Sequence, residues 1–326
     1  MKKKNHVGTI VYLFLVLILV LVMIYSGLQL LESTVFRPQE ETVPVPSKTI
    51  TRNGVDYFPR QDITVLLIMG IDEFGPVKPS EGFGNPGAAD VVTLMIFDET
   101  NQQTRILSLN RDTMMDVDVL GIGGKKAGTT FMQLAVAHTY GSGMEDSCEN
   151  TRDTVSNFLY GINIDHYVAA NMDAIAIMND GVGGVTVRVE DDFSAVDPTI
   201  TKGTVTLKGN QALNYVQTRY DVGDQLNLSR MERQKKYAVG FMEALRTRLA
   251  NQETLALELY EKVSPYIVTD CSTTVLTNMM SRYADYDIVE IVSPEGENKL
   301  GDTYYEFYVD EEKLDSLILR LFYAEK

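Results

Sequence analysis

The run from residue 62 to 70 (Asp-Ile-Thr-Val-Leu-Leu-Ile-Met-Gly) limits the fold of this chain more than any other feature. It is a nearly continuous apolar segment of strand length, the pattern of a central strand covered on both faces. Residues 91–97 and 105–109 repeat it, and the Gly- and Pro-rich segment 71–89 between the first two reads as a loop. Helices are predicted at 130–140 and 148–160, followed by a strand at 166–171 and a short helix ending near Gly181. Gly183-Gly184 opens a strand at 185–189, before helices at 209–218 and from Arg230 to about Ala250. Strands alternating with helices predict an α/β chain, an α-β-α layered fold with a central mixed β-sheet flanked by helices. Past Gln252 the pattern offers two short helices (253–263 and 273–283), strands near 288–292 and 304–309, and a closing helix at 311–323. This C-terminal α/β extension, residues 251–326, is either an appended layer or part of the same domain.

Lys2, Lys3 and Lys4 precede an apolar run over residues 7–31. At about 1.5 Å per residue, roughly 20 residues cross a bilayer core, so the run predicts one N-terminal transmembrane helix. It exceeds a typical signal-peptide core and no Ala-x-Ala cleavage site follows. The lysines stay inside, which makes 1–6 a cytoplasmic tail and places the rest outside a cell membrane crossed once. Residues 32–60, with Pro38, Pro44, Pro46 and Pro59, read as an extended extracytoplasmic stalk. Cys148 and Cys271 are the only cysteines. Outside the cell their even number permits a disulfide without requiring one. With no histidine close to either in sequence, a catalytic cysteine is not expected.

The formal net charge of −16 argues against nonspecific nucleic-acid binding, which needs a broad basic surface. A local arginine cluster on an acidic body suits a small, highly charged anion. Such a cluster lies in the stretch 211–234. Ser229 followed by Glu232 has the form of a capping box, which predicts a helix beginning at Arg230 with Arg233 and Gln234 one turn on. The helix macrodipole disfavours cations at that end, so two arginines there suggest a bound anion that also takes the free backbone N–H groups. Arg219, just past the preceding helix, is placed to join them. A solvated basic helix face accounts for the same stretch.

Asp72, in Gly-Ile-Asp, and Asp90, in Ala-Ala-Asp-Val-Val-Thr-Leu, stand at the two ends of the first loop, at strand termini. Paired carboxylates suit Mg²⁺, which prefers oxygen ligands and bridges to phosphates; strand-end caps are the plainer alternative. Arg111-Asp112 leaves the third apolar run directly, as a site pair or a salt bridge at the rim. The Gly-rich segment 121–130 fails the Gly-x4-Gly-Lys-[Ser/Thr] phosphate loop, because Lys125 is followed by Lys126. His6, His138 and His166 are scattered, with no His-Glu-x-x-His, so a zinc site is not expected, and no Gly-x-Ser-x-Gly elbow occurs.

Taken in order, Gly-Ile-Asp, Ala-Asp-Val-Val-Thr-Leu, Leu-Asn-Arg-Asp-Thr, Ala-His-Thr-Tyr-Gly, Asp-His-Tyr-Val-Ala-Ala-Asn-Met, Leu-Lys-Gly-Asn-Gln-Ala-Leu-Asn-Tyr-Val-Gln-Thr-Arg and Arg-Met-Glu-Arg-Gln form a series. It resembles the LytR-CpsA-Psr family of cell-envelope proteins over about residues 62–249, which makes 61–250 the expected catalytic domain. The resemblance implies an extracytoplasmic phosphotransferase. Such an enzyme moves an anionic glycopolymer from an undecaprenyl-pyrophosphate carrier onto peptidoglycan, with Mg²⁺ as cofactor. It implies Asp72 and Asp90 as metal ligands and Arg111, Gln217, Arg219, Arg230, Arg233 and Gln234 as the pyrophosphate grip. Gln217 stands where the family has an arginine. Ala88-Ala89 replaces a basic residue and a serine, and Gln133 and Ala135 replace a lysine and an asparagine. Asn227 takes the place of an acidic residue, with Asp224 as its nearby substitute.

The chemistry agrees. A pyrophosphate diester spreads its charge over nonbridging oxygens, so catalysis consists mainly of positioning and charge neutralisation. Guanidinium forks fit that geometry better than ammonium groups. A lipid carrier calls for an apolar tunnel between layers. Asp90 or Asp112 is expected to take the acceptor hydroxyl proton. A noncatalytic polyprenyl-phosphate sensor and a polyprenyl-pyrophosphate hydrolase share the same anchor and arginines.

Overall fold

The computed structural model describes residues 49–82, 84–121, 124–223, 227–301 and 303–325. The predicted tail, the membrane-spanning run and most of the stalk lie outside the described residues, as does Asp224. Among the described residues no helix is long and apolar enough to cross a membrane.

The end of the expected stalk is not extended spacer. Strands β1 (Ile50–Arg52) and β2 (Val55–Pro59) form a hairpin. Asn53 and Gly54 turn it with positive φ, the geometry a two-residue hairpin requires. The apolar runs then become β3 (Ile63–Ile71), β4 (Ala89–Asp98) and β5 (Gln103–Leu109), an antiparallel meander. Where a helix was predicted at 130–140, the chain instead forms an antiparallel hairpin, β6 (Met114–Leu120) with β7 (Lys126–Gln133), and a 3₁₀ helix at Leu134–Tyr140. Thr129, Thr130 and Phe131 favour the pleated surface over a helix. Helix α1 (Glu145–Phe158) leads to β8 (His166–Asn171), then to α2 (Asp173–Gly181). The hairpin of β9 (Val185–Val189) and β10 (Gly203–Leu207) follows, with α3 (Asn210–Gln217) and α4 (Asn227–Leu249) after it. Helix α4 lies so close to β9 that a Cβ at Gly240 would come within 2.7 Å of the Thr186 carbonyl oxygen.

The residues after Ala250 complete the central sheet. They form α5 (Leu255–Val263), β11 (Ile267–Thr269), α6 (Thr273–Tyr283), β12 (Asp287–Val292), β13 (Gly296–Leu300), β14 (Tyr305–Val309), α7 (Glu311–Phe322) and β15 (Tyr323–Glu325). The six-stranded sheet runs β11-β8-β3-β4-β5-β12, so both edges come from the C-terminal segment. Strand β8 is parallel to β3, and β12 is parallel to β5, which makes the sheet mixed. Strand β15 closes on β2, tying the last described residues to the first.

Each face of the sheet buries its own core. Val65, Leu67, Met69 and Ile71 pack with α1, the 3₁₀ helix and Ile318 and Leu321 of α7. On the opposite face Leu66 and Phe97 meet Tyr283 and Tyr286, the Phe97 and Tyr283 rings stacked at 3.8 Å. This α-β-α sandwich places the strand ends Ile71 and Leu109, and the start of β4, at one edge of the sheet.

Candidate active site

That edge carries the predicted carboxylates. Ile71 pairs with Ala89 and Gly70 with Val91, so Asp90 is the extra residue of a β-bulge. A bulge re-aims its side chain out of the strand's regular alternation. Asp72 follows Ile71 at the same end, its N–H bonded to the Ala88 carbonyl at 3.0 Å. Its side chain is exposed, whereas that of Asp90 is largely enclosed. Gly87 makes the close turn possible, since a Cβ there would lie 2.7 Å from Ile71 Cγ2.

Two arginines converge on Asp90. Arg111 donates from Nη1 to Oδ1 of Asp90 and from Nε to Oδ1 of Asp112 at 3.2 Å. Arg230, only 5% exposed, donates from Nη1 to the other Asp90 oxygen at 3.0 Å. Burial pulls the Arg230 pKa down, and Asp90 opposes that shift. Of the five guanidinium N–H donors, Arg111 engages only those on Nε and Nη1 among the described residues, leaving Nη2 for an incoming oxygen. Arg219 stands beside this pair, its guanidinium carbon 5.3 Å from the Tyr220 ring centre and 5.9 Å from that of Tyr305. Burial pushes the Asp112 carboxyl above its ordinary range, against the pull of Arg111, Arg219 and Arg230. Three guanidinium groups from separate segments therefore surround two acids.

Sequence reasoning gives no bonding role to the two asparagines that hold this cluster together. Asn227, in place of the family's acidic residue, accepts from Arg230 Nε at 3.1 Å and donates to Asn110 Oδ1 at 2.6 Å. Asn110 Oδ1 also accepts the Asp112 N–H at 3.0 Å, while its buried Nδ2 has no partner among the described residues. A buried orphan donor beside three guanidinium groups favours an anion in the site. Gln133 donates to Asp112 Oδ1 at 3.3 Å and to the Tyr305 carbonyl at 2.6 Å. In sequence it stands out only as a substitution, because its partner on β14 lies 172 residues away.

Three expectations change. Helix α4 begins at Asn227 rather than after a Ser229 cap, so Ser229 and Glu232 sit inside the helix and Arg230 is its fourth residue. Arg233 does not join Arg111 and Arg230 on Asp90. Only 3% exposed, it donates from Nε to the Tyr215 carbonyl at 3.0 Å, from Nη2 to the Thr218 carbonyl, and from Nη1 to Asp191 at 3.0 Å. Gln234 likewise donates to the Val216 carbonyl at 3.1 Å. These two side chains satisfy carbonyls left open at the end of α3 and so fix the segment leading to Arg219. Gln217 is the last residue of α3 and half-buried. Neither cysteine is in a disulfide. Cys148 lies 3.9 Å from His138 Nε2, yet burial pushes its thiol pKa up, the opposite of what a nucleophile needs.

An apolar cavity of about 310 Å³ lies under the sheet, between β3, β4 and β8 and helices α2, α4 and α6. Leu66, Ile68, Met95, Met178, Phe241 and Met280 are among its lining residues. Ile68 is four residues from Asp72, about 13 Å along an extended strand. Thr93 and Ser108 lie side by side on β4 and β5, between the cavity and the arginines, with hydroxyls 3.5 Å apart.

The fold and the site define a class of protein: a layered α/β domain whose guanidinium groups, drawn from distant segments, close over strand-end carboxylates beside an apolar cavity. The chain belongs to the LytR_cpsA_psr family, whose sequence profile matches residues 33–322. It is 30% identical over 207 residues to the polyisoprenyl-teichoic acid–peptidoglycan teichoic acid transferase TagU of Enterococcus faecalis. That match takes in 64% of this chain and 61% of the relative, so the chain spans less than two thirds of that protein's length. The fold is shared with the crystal structure of B. subtilis TagV, at a TM-score of 0.63 and 24% identity, over 80% of this chain and 96% of that one. A structure of TagT bound to LIIa-WTA superposes with a TM-score of 0.61 at 22% identity, covering 80% and 90%.

Proposed function

We propose that this protein is an extracytoplasmic phosphotransferase. In this reading it moves an anionic glycopolymer from an undecaprenyl-pyrophosphate carrier onto peptidoglycan and is held at the cell membrane by its N-terminal anchor. The observation that carries the proposal is the convergence of Arg111, Arg219 and Arg230 on the strand-end carboxylates beside an apolar cavity. The activity named for the E. faecalis relative is of the same kind.

Arg111, Arg219 and Arg230 bind the nonbridging oxygens of the pyrophosphate, and the first isoprene units enter the cavity. At about 310 Å³ the cavity is at the small end of ligand sites, so the rest of the chain passes outside or parts the helices. The acceptor hydroxyl oxygen bonds to the glycan-side phosphorus as the bond from that phosphorus to the bridging oxygen breaks. The bridging oxygen leaves with the lipid monophosphate. The hydroxyl proton passes to Asp112, whose burial keeps it more basic than an ordinary carboxylate. A wider hollow of about 750 Å³ between the start of α4 and strands β12 to β14 gives an acceptor glycan an approach one residue from Arg230.

The donor set suits Mg²⁺: Asp72 and Asp90 offer only hard oxygens at one sheet end, and each Asp90 oxygen keeps a lone pair beyond its arginine bond. When bound there, Mg²⁺ would neutralise phosphate charge. Purified protein given a polyprenyl-pyrophosphate glycan, Mg²⁺ and a peptidoglycan acceptor tests the reading. Transfer that stops with a chelator and returns with Mg²⁺ is expected. Hydrolysis alone, or binding without turnover, would replace it with the hydrolase or the sensor.

A further inference from the structure

A second cluster of ligand-type side chains lies at the far end of the cavity, remote from the arginines. His166 opens β8, paired with Leu66 of the cavity wall, and Asp270 and Cys271 follow β11 at the turn into α6. One ring nitrogen of His166, one Asp270 oxygen and Cys271 Sγ lie within 4.8 Å of one another. Nδ1 stands 3.6 Å from Asp270 Oδ1, beyond hydrogen-bond length, and this buried nitrogen has no hydrogen-bond partner among the described residues. The thiol lies 3.7 Å from the same oxygen, at best a weak bond.

The two separations from Asp270 Oδ1, 3.6 and 3.7 Å, are close to the ligand edges of a metal site. Bonds of about 2.0–2.1 Å to N and O and about 2.3 Å to S, set tetrahedrally, give ligand-to-ligand edges of roughly 3.4–3.6 Å. Asp270 Oδ1 is already oriented by the Tyr167 N–H at 3.0 Å, the kind of outer contact that positions a metal ligand. One thiolate and one carboxylate would balance a divalent charge, and the half-buried His166 and Asp270 leave a fourth position open to water.

We propose that His166, Asp270 and Cys271 bind a thiophilic divalent cation of the zinc class. Imidazole and thiolate select such an ion over Mg²⁺, so this site is chemically distinct from the Asp72–Asp90 pair. It joins central strand β8 to edge strand β11 and the start of α6, whose Leu276, Met279 and Met280 line the cavity. The ion would thereby set where the cavity's outer wall stands.

The test uses the full-length chain, reduced, with Co²⁺ as a visible substitute. A thiolate-to-cobalt absorption band at one equivalent, intense four-coordinate d–d bands and displacement of both by Zn²⁺ are expected. Cys271→Ala should abolish the charge-transfer band, and Cys148→Ala should keep it. Zn²⁺ should slow alkylation of Cys271 by iodoacetamide at least tenfold, and His166→Gln should remove that protection. His166 is a third exposed, so its variant supplies the same readout should Cys271→Ala not fold. No band, a band that survives in Cys271→Ala, or alkylation unaffected by Zn²⁺ would overturn the proposal. None of these measurements requires a glycan substrate.

Discussion

Replacing Arg111 by alanine separates a catalytic arginine from a salt bridge at the domain rim. Its side chain is 25% exposed and makes two charge-assisted hydrogen bonds, to Asp90 and Asp112. Each such bond is worth about 1.5–3 kcal/mol when well shielded. Partial exposure reduces that, and Asp90 keeps Arg230 while Asp112 keeps Gln133, so neither acid is left alone. The net cost is therefore about 1–2 kcal/mol. Against a typical total of about 5–15 kcal/mol the variant stays folded. A domain of this size should lose roughly 2–8 °C in melting temperature. The reaction should suffer far more, since deleting one donor to developing transition-state charge lowers rate by about 10²–10³-fold. Calorimetry and a single-turnover transfer assay on the same preparation give both numbers. Arg111→Lys should recover little, because an ammonium cannot reach Asp90 and Asp112 as a fork. Transfer within tenfold of the unaltered protein would refute the assignment, and so would a collapse of the fold.

Arg233→Ala should show the reverse balance. Losing its bonds to the end of α3 and to Asp191 should cost about 2–4 kcal/mol in denaturant unfolding, while transfer per folded molecule falls much less than for Arg111→Ala. Ala174→Trp on α2 would fill part of the cavity, and the KM for long-chain lipid donors should rise more than that for short-chain analogues. Burial works against ionisation of Asp98, but hydrogen bonds from Arg60 and Asn101 outweigh it and hold the carboxyl well below its ordinary range. A depressed carboxylate contributes stability above its unfolded pKa, near about 3.9, and loses it as pH falls toward the folded value. Asp98→Asn should therefore destabilise the protein at neutral pH and flatten the acid limb of its unfolding profile below about pH 4.

The strands that were legible were those whose burial forces a pattern. The apolar runs of β3 to β5 and β8 announce themselves because both faces are covered. Strand β6 carries Asp116 and Asp118 among its apolar residues, and β13 is exposed along its whole length, so their partners rather than their composition make them strands. The same division runs through the site. Asp90, Arg111, Arg219 and Arg230 stood out as charges at strand and helix ends. Arg233 looked equivalent to Arg230, because three residues along a helix leave two side chains on nearly one face. Only the position of the α3 carbonyls sends it elsewhere. Asn110 and Asn227 are neutral and unremarkable as text, and their role exists only once β5 and α4 meet.

The C-terminal segment belongs to the site as much as the strands before it do. Strands β11 and β12 cap edges of β8 and β5 that would otherwise present unpaired backbone groups to solvent. From β14 the Phe307 N–H bonds the Asp112 carbonyl at 2.8 Å, the Tyr305 carbonyl accepts Gln133, and the Tyr305 ring faces Arg219. The acid with the raised pKa is thus positioned by a residue nearly two hundred places later in the chain, and Arg219 is flanked by a ring of the same strand. Two tyrosine rings beside the guanidinium group restrict its direction, so in the proposed reading Arg219 would meet a phosphate with little further ordering. If Gln217 stands for one arginine of a family pair, as the resemblance implies, that preorganisation would fall on Arg219 alone, with Tyr305 of β14 beside it.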